Sequence, residues 1–206
     1  MKTVAIVQAR MGSVRLPKKV MSFIDGIPMI ELLLTRLSLS KQLDQIIVAT
    51  SSNKNNKDLV KHVKKLGYEC YQGSESDVLS RYAEAAKIYN ADIVVRITGD
   101  CPLVDATLVD ELVSQFKDSD FDYLCNVNPP TYPDGLDIQI TYSKQIFEAD
   151  KNANNEYDRE HVMPYIFKSK KNKCFSVKFT EDLSKNRWTV DEKEDLIVVN
   201  KIFKHF

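Results

Sequence analysis

No CxxC pair occurs in this 206-residue chain, and its four cysteines, Cys70, Cys101, Cys125 and Cys174, lie far apart. That spacing argues against a zinc site and gives no disulfide framework, so reduced, partly buried thiols are expected. No apolar run approaches the roughly 20 residues of a membrane span. Net charge is also missing, since 29 basic and 29 acidic side chains cancel. The global field therefore draws neither nucleic acid nor an anionic membrane, and any anion binding has to be local. Glycine is scarce, at six residues. None of them forms a GxxxxGK[ST] or GxGxxG run, which counts against P-loop kinases and dinucleotide dehydrogenases. The start, MKTVAIVQAR, has only a short apolar run and no small-residue cleavage site, so it reads as a buried strand rather than a signal peptide. The expected location is the cytoplasm.

What is present suits a globular protein of one domain with a sizeable core. The apolar run 4–7, too short for a helix, predicts a strand, followed by a polar loop at 8–13 and a helix at 30–39. The rhythm repeats with a strand at 45–50, a loop at 51–56, a helix at 57–66 stopped by Gly67, a short strand at 68–71, a helix at 76–89 and a strand at 92–98. Strands alternating with helices imply an α/β fold with a mainly parallel, Rossmann-like sheet covered on both faces. After a helix at 107–116 the pattern changes. Strands are expected at 123–127, 136–141 and 174–179, a helix at 152–166, a last strand at 188–190 and a closing helix at 193–203. Residues 123–180 read as a β-containing insertion within the single domain 1–206, acting as a substrate lid or dimer contact.

Open α/β sheets bind ligands beyond the carboxyl ends of their strands. Three segments fall there: 8–19 after the first strand, Asp100 after the fourth and Asp191 after the last. The first gathers Arg10, Arg15, Lys18 and Lys19 around Gly12. A polyphosphate needs that combination, with backbone N–H groups donating to its oxygens and cations neutralising them.

The loop A-R-x-x-S-x-R-L-P-x-K resembles the signature of sugar-activating cytidylyltransferases, which include the CMP-KDO and CMP-acylneuraminate synthetases. R-I-T-G-D-C-P-L at 96–103, Y-P-D-G-L-D at 132–137, R-E-H-V-M-P-Y-I at 159–166 and R-W-T-V-D at 187–191 are similar, in order, to the SpsF-type branch. The resemblance covers nearly the whole chain. It implies the nucleotide-diphospho-sugar transferase fold and transfer of CMP from CTP to a small acidic sugar with release of pyrophosphate. Surface polysaccharide or glycan synthesis and a homodimer are also implied.

By the same resemblance Mg2+ is held by Asp100 and Asp191, which suits an ion that takes one or two carboxylates and completes its shell with water and phosphate. Asp191 is alternatively a helix cap, and Asp195 reads as favourable charge in that helix's first turn. Ala9, Arg10, Gly12, Ser13, Arg15 and Lys19 are expected on the triphosphate, and Ser74, with Thr50 and residues 72–73, near the cytosine. Tyr132, Asp134, Asp137, Glu160, His161 and Arg187 are assigned to the acceptor, with Arg187 a carboxylate clamp. His161 either orients or deprotonates the acceptor hydroxyl, or is a hydrogen-bonded structural residue. Arg10, Lys19, Asp100, His161 and Asp191 form the expected catalytic set. Alternatives are another nucleobase, a glycosyltransferase of the same fold using a nucleotide-sugar donor, and an idle binding module. The last is disfavoured because both aspartates and all the loop cations are present.

Overall fold

The computed structural model describes residues 1–205. Its first strand, β1 (Thr3–Gln8), carries Val4, Ala5, Ile6 and Val7 with no exposed surface, as a central strand covered on both faces requires. A small hairpin, β2 (Phe23–Ile24) and β3 (Ile27–Pro28), leads into α1 (Met29–Leu37). Then follow β4 (Gln45–Ser51), α2 (Lys57–Lys65), β5 (Glu69–Gly73), α3 (Val78–Ile88), β6 (Ile93–Thr98) and α4 (Ala106–Lys117). The second half contains β7 (Tyr123–Cys125), β8 (Gln139–Tyr142), α5 (Ser143–Asn152), α6 (Glu156–His161), α7 (Pro164–Lys168), β9 (Cys174–Ser176) and α8 (Lys193–His205).

Seven strands form one sheet in the order β5-β4-β1-β6-β8-β7-β9. β5, β4, β1 and β6 run parallel, whereas β8 is antiparallel to both β6 and β7. The alternation of side chains along β1 divides the core. Ala5 and Val7 pack with Leu33 and Leu34 of α1 and Val109 and Phe116 of α4, while Val4 and Ile6 pack with Leu79, Tyr82 and Ala86 of α3 and Ile146 of α5. Each such aliphatic side chain contributes about 1.5–3 kcal/mol on burial. Two helix starts are fixed by aspartates: Asp77 accepts the Ser80 N–H at 3.0 Å, and Asp105 accepts those of Thr107 and Leu108.

The sheet order reverses at β1, whose neighbours β4 and β6 lie on opposite sides, so the cleft beyond its end is the natural ligand position. The chains leaving β1 and β6 come very close there. A Cβ on Gly99 would lie 2.8 Å from that of Ala9, so a side chain at 99 has no room.

Three expectations are corrected. The helix expected at 152–166 is broken into α6 and α7: Val162 has φ 68°, and Pro164, the first residue of α7, has no N–H to continue the ladder. The preceding α5 was not anticipated, because only Ile146 and Ala149 give its sequence a buried apolar face. No strand forms at 188–190. The N–H groups of Trp188 and Thr189 donate to the Asp134 carbonyl at 2.7 and 3.0 Å, and Val190 donates to the Asp100 carbonyl at 2.8 Å, so the donors go to two separate segments rather than one ladder. In the region read as an insertion, β7, β8 and β9 extend the main sheet.

Candidate active site

The loop after β1 is held by apolar pegs. Met11 and Leu16 are buried, the Met11 N–H donates to Asn56 Oδ1 at 2.9 Å, and the Lys18 N–H donates to the Met11 carbonyl at 3.1 Å. With those side chains turned inward, Arg10, Gly12, Ser13, Arg15 and Lys19 line a cleft of about 270 Å3 together with Asp100 and Asp191. Lys18, at φ 60°, is not among its lining residues.

Asp100 and Asp191 converge on one cation. Lys19 Nζ donates to Asp100 Oδ2 and to Asp191 Oδ1, both at 2.8 Å. Arg15 lies 3.0 Å from the other Asp191 oxygen. Burial by itself would lower the Lys19 pKa, but the two carboxylates outweigh it and hold the ammonium above its ordinary value. Burial would likewise raise Asp100, yet the charge and hydrogen bond of Lys19, with a contribution from Thr98, hold it below the usual carboxylate range. The cleft thus keeps the Asp100 carboxylate ionised beside a protonated amine that also donates to Asp191.

Asp195 fixes Asp191. Its Oδ2 accepts the backbone N–H groups of Asp191 and Glu192, both at 2.9 Å, so the start of α8 is capped from within and the Asp191 side chain is released towards the cleft. Arg187 is engaged on the same residue, with Nε 2.8 Å from Asp195 Oδ1 and Nη2 3.0 Å from Oδ2. The fork assigned from sequence to a substrate carboxylate is therefore occupied, and Arg187 also reaches Asp191 at 3.3 Å.

Among the described residues no group of three His, Cys, Asp or Glu side chains could hold a metal ion. A pair of carboxylates flanking one half-buried cation suits Mg2+, which takes its remaining ligands from water and phosphate. The position of Lys19 Nζ, equidistant from both aspartates, shows that the pair already accommodates positive charge.

A larger cleft of about 600 Å3 shares Gln8, Ala9 and Arg10 with the smaller one, so the two meet at the end of β1. Glu160 and His161 are exposed on its wall, and the His161 ring lies 4.4 Å from that of Tyr157. Arg159 forms ion pairs with Asp77 and Asp150. Ser74 is turned to its own loop, where its Oγ accepts the Asp77 N–H at 3.1 Å. Tyr132 is separate from both clefts: its ring lies 5.2 Å from Phe179 and lines an apolar hollow with Leu136 and Trp188. Trp188 is only partly buried on that hollow.

Asp134 and Asp137 add to the negative charge near Asp100. Burial, then the charge of Asp134, pushes the Asp137 carboxyl up to about 6. An acid harder to ionise when folded costs no stability below its unfolded value near 3.8, and its cost grows as pH rises to about 6. Asp137→Asn is therefore expected to raise the melting temperature at pH 7.5, by about 1–2 kcal/mol of stability, and to leave it unchanged at pH 3.5. Paired thermal melts at the two pH values check the sign.

Several polar residues beneath the end of β1 were given no role in the sequence reading. Arg96 donates to Gln8 Oε1 at 3.2 Å and also to Gln139, whose amide donates to the Tyr123 hydroxyl at 2.7 Å. Arg81 is the other omission. It lies among Val78, Tyr82 and Ala85 on the apolar face of α3, and a lone charge within an apolar stripe was the available signal.

A cationic loop at the switch point of a parallel sheet, opposed by two carboxylates that can share a cation, is an arrangement suited to nucleotidyl transfer. Residues 4–198 match the family model described as Cytidylyltransferase; the chain belongs to this family and is a CTP-dependent nucleotidyltransferase. It is 34% identical to a solved cytidylyltransferase from Leptospira borgpetersenii, with a TM-score of 0.96, covering 100% of this chain and 88% of that one. It is 29% identical to the spore coat polysaccharide biosynthesis protein SpsF of Bacillus subtilis over 97% of this chain and 85% of that protein. It is 32% identical to the 3-deoxy-manno-octulosonate cytidylyltransferase of Chlamydia felis over 81% of this chain and 65% of that protein. These similarities favour nucleotidyl transfer over the glycosyltransferase alternative. No helix among the described residues is long and apolar enough to cross a membrane.

Proposed function

We propose that the protein transfers CMP from CTP to a small acidic sugar, releasing pyrophosphate, in the synthesis of a surface polysaccharide or glycan. The observation that carries this reading is the convergence of Asp100 and Asp191, 91 positions apart in sequence, on Lys19 of the cationic loop. The acidic acceptor is supported by the similarity to an enzyme named for 3-deoxy-manno-octulosonate, and the pathway by the similarity to SpsF.

Bound between Asp100 and Asp191, Mg2+ would supply positive charge to the phosphates. Arg10, Arg15 and Lys19 hold the triphosphate, with Ala9, Gly12 and Ser13 offering backbone and hydroxyl groups, and fix it for in-line attack. An acceptor hydroxyl oxygen bonds to the α-phosphorus while the bond to the bridging oxygen of the β-phosphate breaks, and pyrophosphate leaves with that electron pair. His161, on the wall of the larger cleft, takes the hydroxyl proton. Asp134, Asp137 and Glu160 orient the acceptor's hydroxyls, and Arg187 acts by positioning Asp191. The 123–180 segment acts as a lid or dimer contact, in a homodimer of the cytoplasm.

Pyrophosphate release, measured with CTP, Mg2+ and a panel of 2-keto-3-deoxy and nonulosonic acids, tests this directly. Release with at least one acid and none with neutral sugars is expected. Sugar transfer from a nucleotide-sugar donor without pyrophosphate formation would overturn the reading.

A further inference from the structure

Gln8 ends β1 and lines both clefts. Its register partner on β6 is Thr98, and its carbonyl accepts the Gly99 N–H at 2.8 Å, so it stands beside the stretch of chain that carries Asp100.

The Gln8 amide has a defined orientation. Arg96 Nε lies 3.2 Å from its Oε1, and the Tyr82 hydroxyl lies 3.4 Å from the same atom. A guanidinium only donates, so the amide atom facing Arg96 is the carbonyl oxygen and the NH2 group is turned the other way. Arg96 is itself held by Gln139, whose amide donates to the Tyr123 hydroxyl at 2.7 Å. Among the described residues nothing accepts from Gln8 Nε2. A half-buried side chain, fastened at its oxygen from below, thus offers its N–H donors to the clefts. A glutamine that served only to satisfy Arg96 would need its oxygen alone.

What meets those donors follows from the connectivity of the reaction. The α-phosphorus is the atom joined to the nucleoside oxygen, to the bridging oxygen of the departing pyrophosphate and, as transfer proceeds, to the acceptor oxygen. With the β- and γ-phosphates at Arg15 and Lys19 in the smaller cleft, the nucleoside and the acceptor are left to the larger one. The α-phosphorus then lies where the clefts meet, and the residues common to both are Gln8, Ala9 and Arg10. Of these, Arg10 supplies charge and Gln8 a neutral donor fixed in place.

We propose that Gln8 Nε2 donates to a non-bridging oxygen of the α-phosphate and stabilises the phosphoryl group most strongly in the transition state, with Arg96 as its positioning residue. A donor already aimed needs no reorganisation at the moment of transfer, which is where a hydrogen bond contributes most to rate. Gln8 exchanges no proton; the bonds made and broken are those of the transfer itself. The assignment rests on the CMP-transfer reading and deepens it by naming the side chain that meets the transferred group.

Steady-state pyrophosphate release and CTP titration, both with Mg2+, on the wild type, Gln8→Met, Gln8→Glu and Arg96→Met test it, with the acid that the wild type turns over fastest as acceptor. Gln8→Met should lower kcat by about 100- to 1,000-fold while CTP affinity stays within about threefold of wild type. Gln8→Glu keeps an oxygen for Arg96 and loses the NH2 group, so it should hold the wild-type melting temperature and still lose about as much turnover. Retained turnover in Gln8→Glu would make Gln8 a support for Arg96 and overturn the assignment. The two α-phosphorothioate diastereomers of CTP locate the contact, because sulfur is a poorer acceptor than oxygen. The slowing caused by sulfur in one diastereomer should largely vanish in Gln8→Met and shrink in Arg96→Met, while that in the other persists. Slowing that is the same in every variant for both diastereomers would overturn the assignment, as would weaker CTP binding with unchanged kcat. A wild type that releases no pyrophosphate with any acid would sink the transfer reading itself, and the assignment with it.

Discussion

Asp100→Ala and Asp191→Ala are each expected to lower Mg2+-dependent turnover by about 100- to 1,000-fold while the protein stays folded. Folding should survive because each variant leaves Lys19 one carboxylate partner at 2.8 Å, and because Asp100 engages the chain end through its backbone carbonyl, which alanine keeps. Activity should not survive, since one aspartate offers a divalent ion half of its protein ligands. The two losses are expected to be far from additive, because the pair acts as a unit. Steady-state pyrophosphate release and thermal melts on the single and double variants give the answer. Purified single variants of full activity would remove the metal assignment.

Lys19→Met is expected to have the second large effect, and in the opposite sense for the metal. Turnover should fall by about 100-fold or more, through the loss of a cation on the phosphates. The nucleotide-free protein should lose about 1–3 kcal/mol, because two carboxylates are left facing each other. Mg2+ should restore much of that loss, and should raise the melting temperature of the variant more than that of the wild type. The reason is positional: in the free protein Lys19 Nζ stands between the oxygens that a divalent cation would need. The depressed Asp100 carboxyl sets the pH range. Its contribution to stability is present above the unfolded value near 3.8 and is lost as pH falls through the lower folded value. Melting temperatures with and without Mg2+ at pH 7.5 decide the question, and equal shifts in both proteins would refute it.

The features legible in the sequence were those written locally. The apolar run of β1 and the clustered cations after it require no knowledge of distant partners, and the placement of Asp100 after β6 follows from one strand boundary. What the sequence does not show is where a residue's partners lie. Residues 188–190 have strand-like composition, but their donors are claimed by Asp134 and Asp100. Arg187 has the chemistry of a carboxylate clamp, and the carboxylate it clamps is Asp195, eight residues on. Tyr132 belongs to a motif with Asp134, yet its ring packs on Phe179 away from both clefts. The break at Val162 was hidden because apolar spacing continues across it, and only the missing N–H of Pro164 argues for a stop. Arg81 needed the opposite attention, to the one residue that did not fit its helical face.

The backbone clasp that ties residues 186–190 to Asp134 and Asp100 makes the cleft depend on the tail. Gly135, at φ 113°, has no space for a Cβ, which would stand 2.7 Å from the Thr189 nitrogen, so the tail and the β7–β8 connection fit against each other only with glycine at this position. A sheet assembled without its tail would have a hydrophobic interior and a first loop but a single acid. Bringing the second acid opposite the first therefore depends on the tail being seated, and bound nucleotide would report that contact.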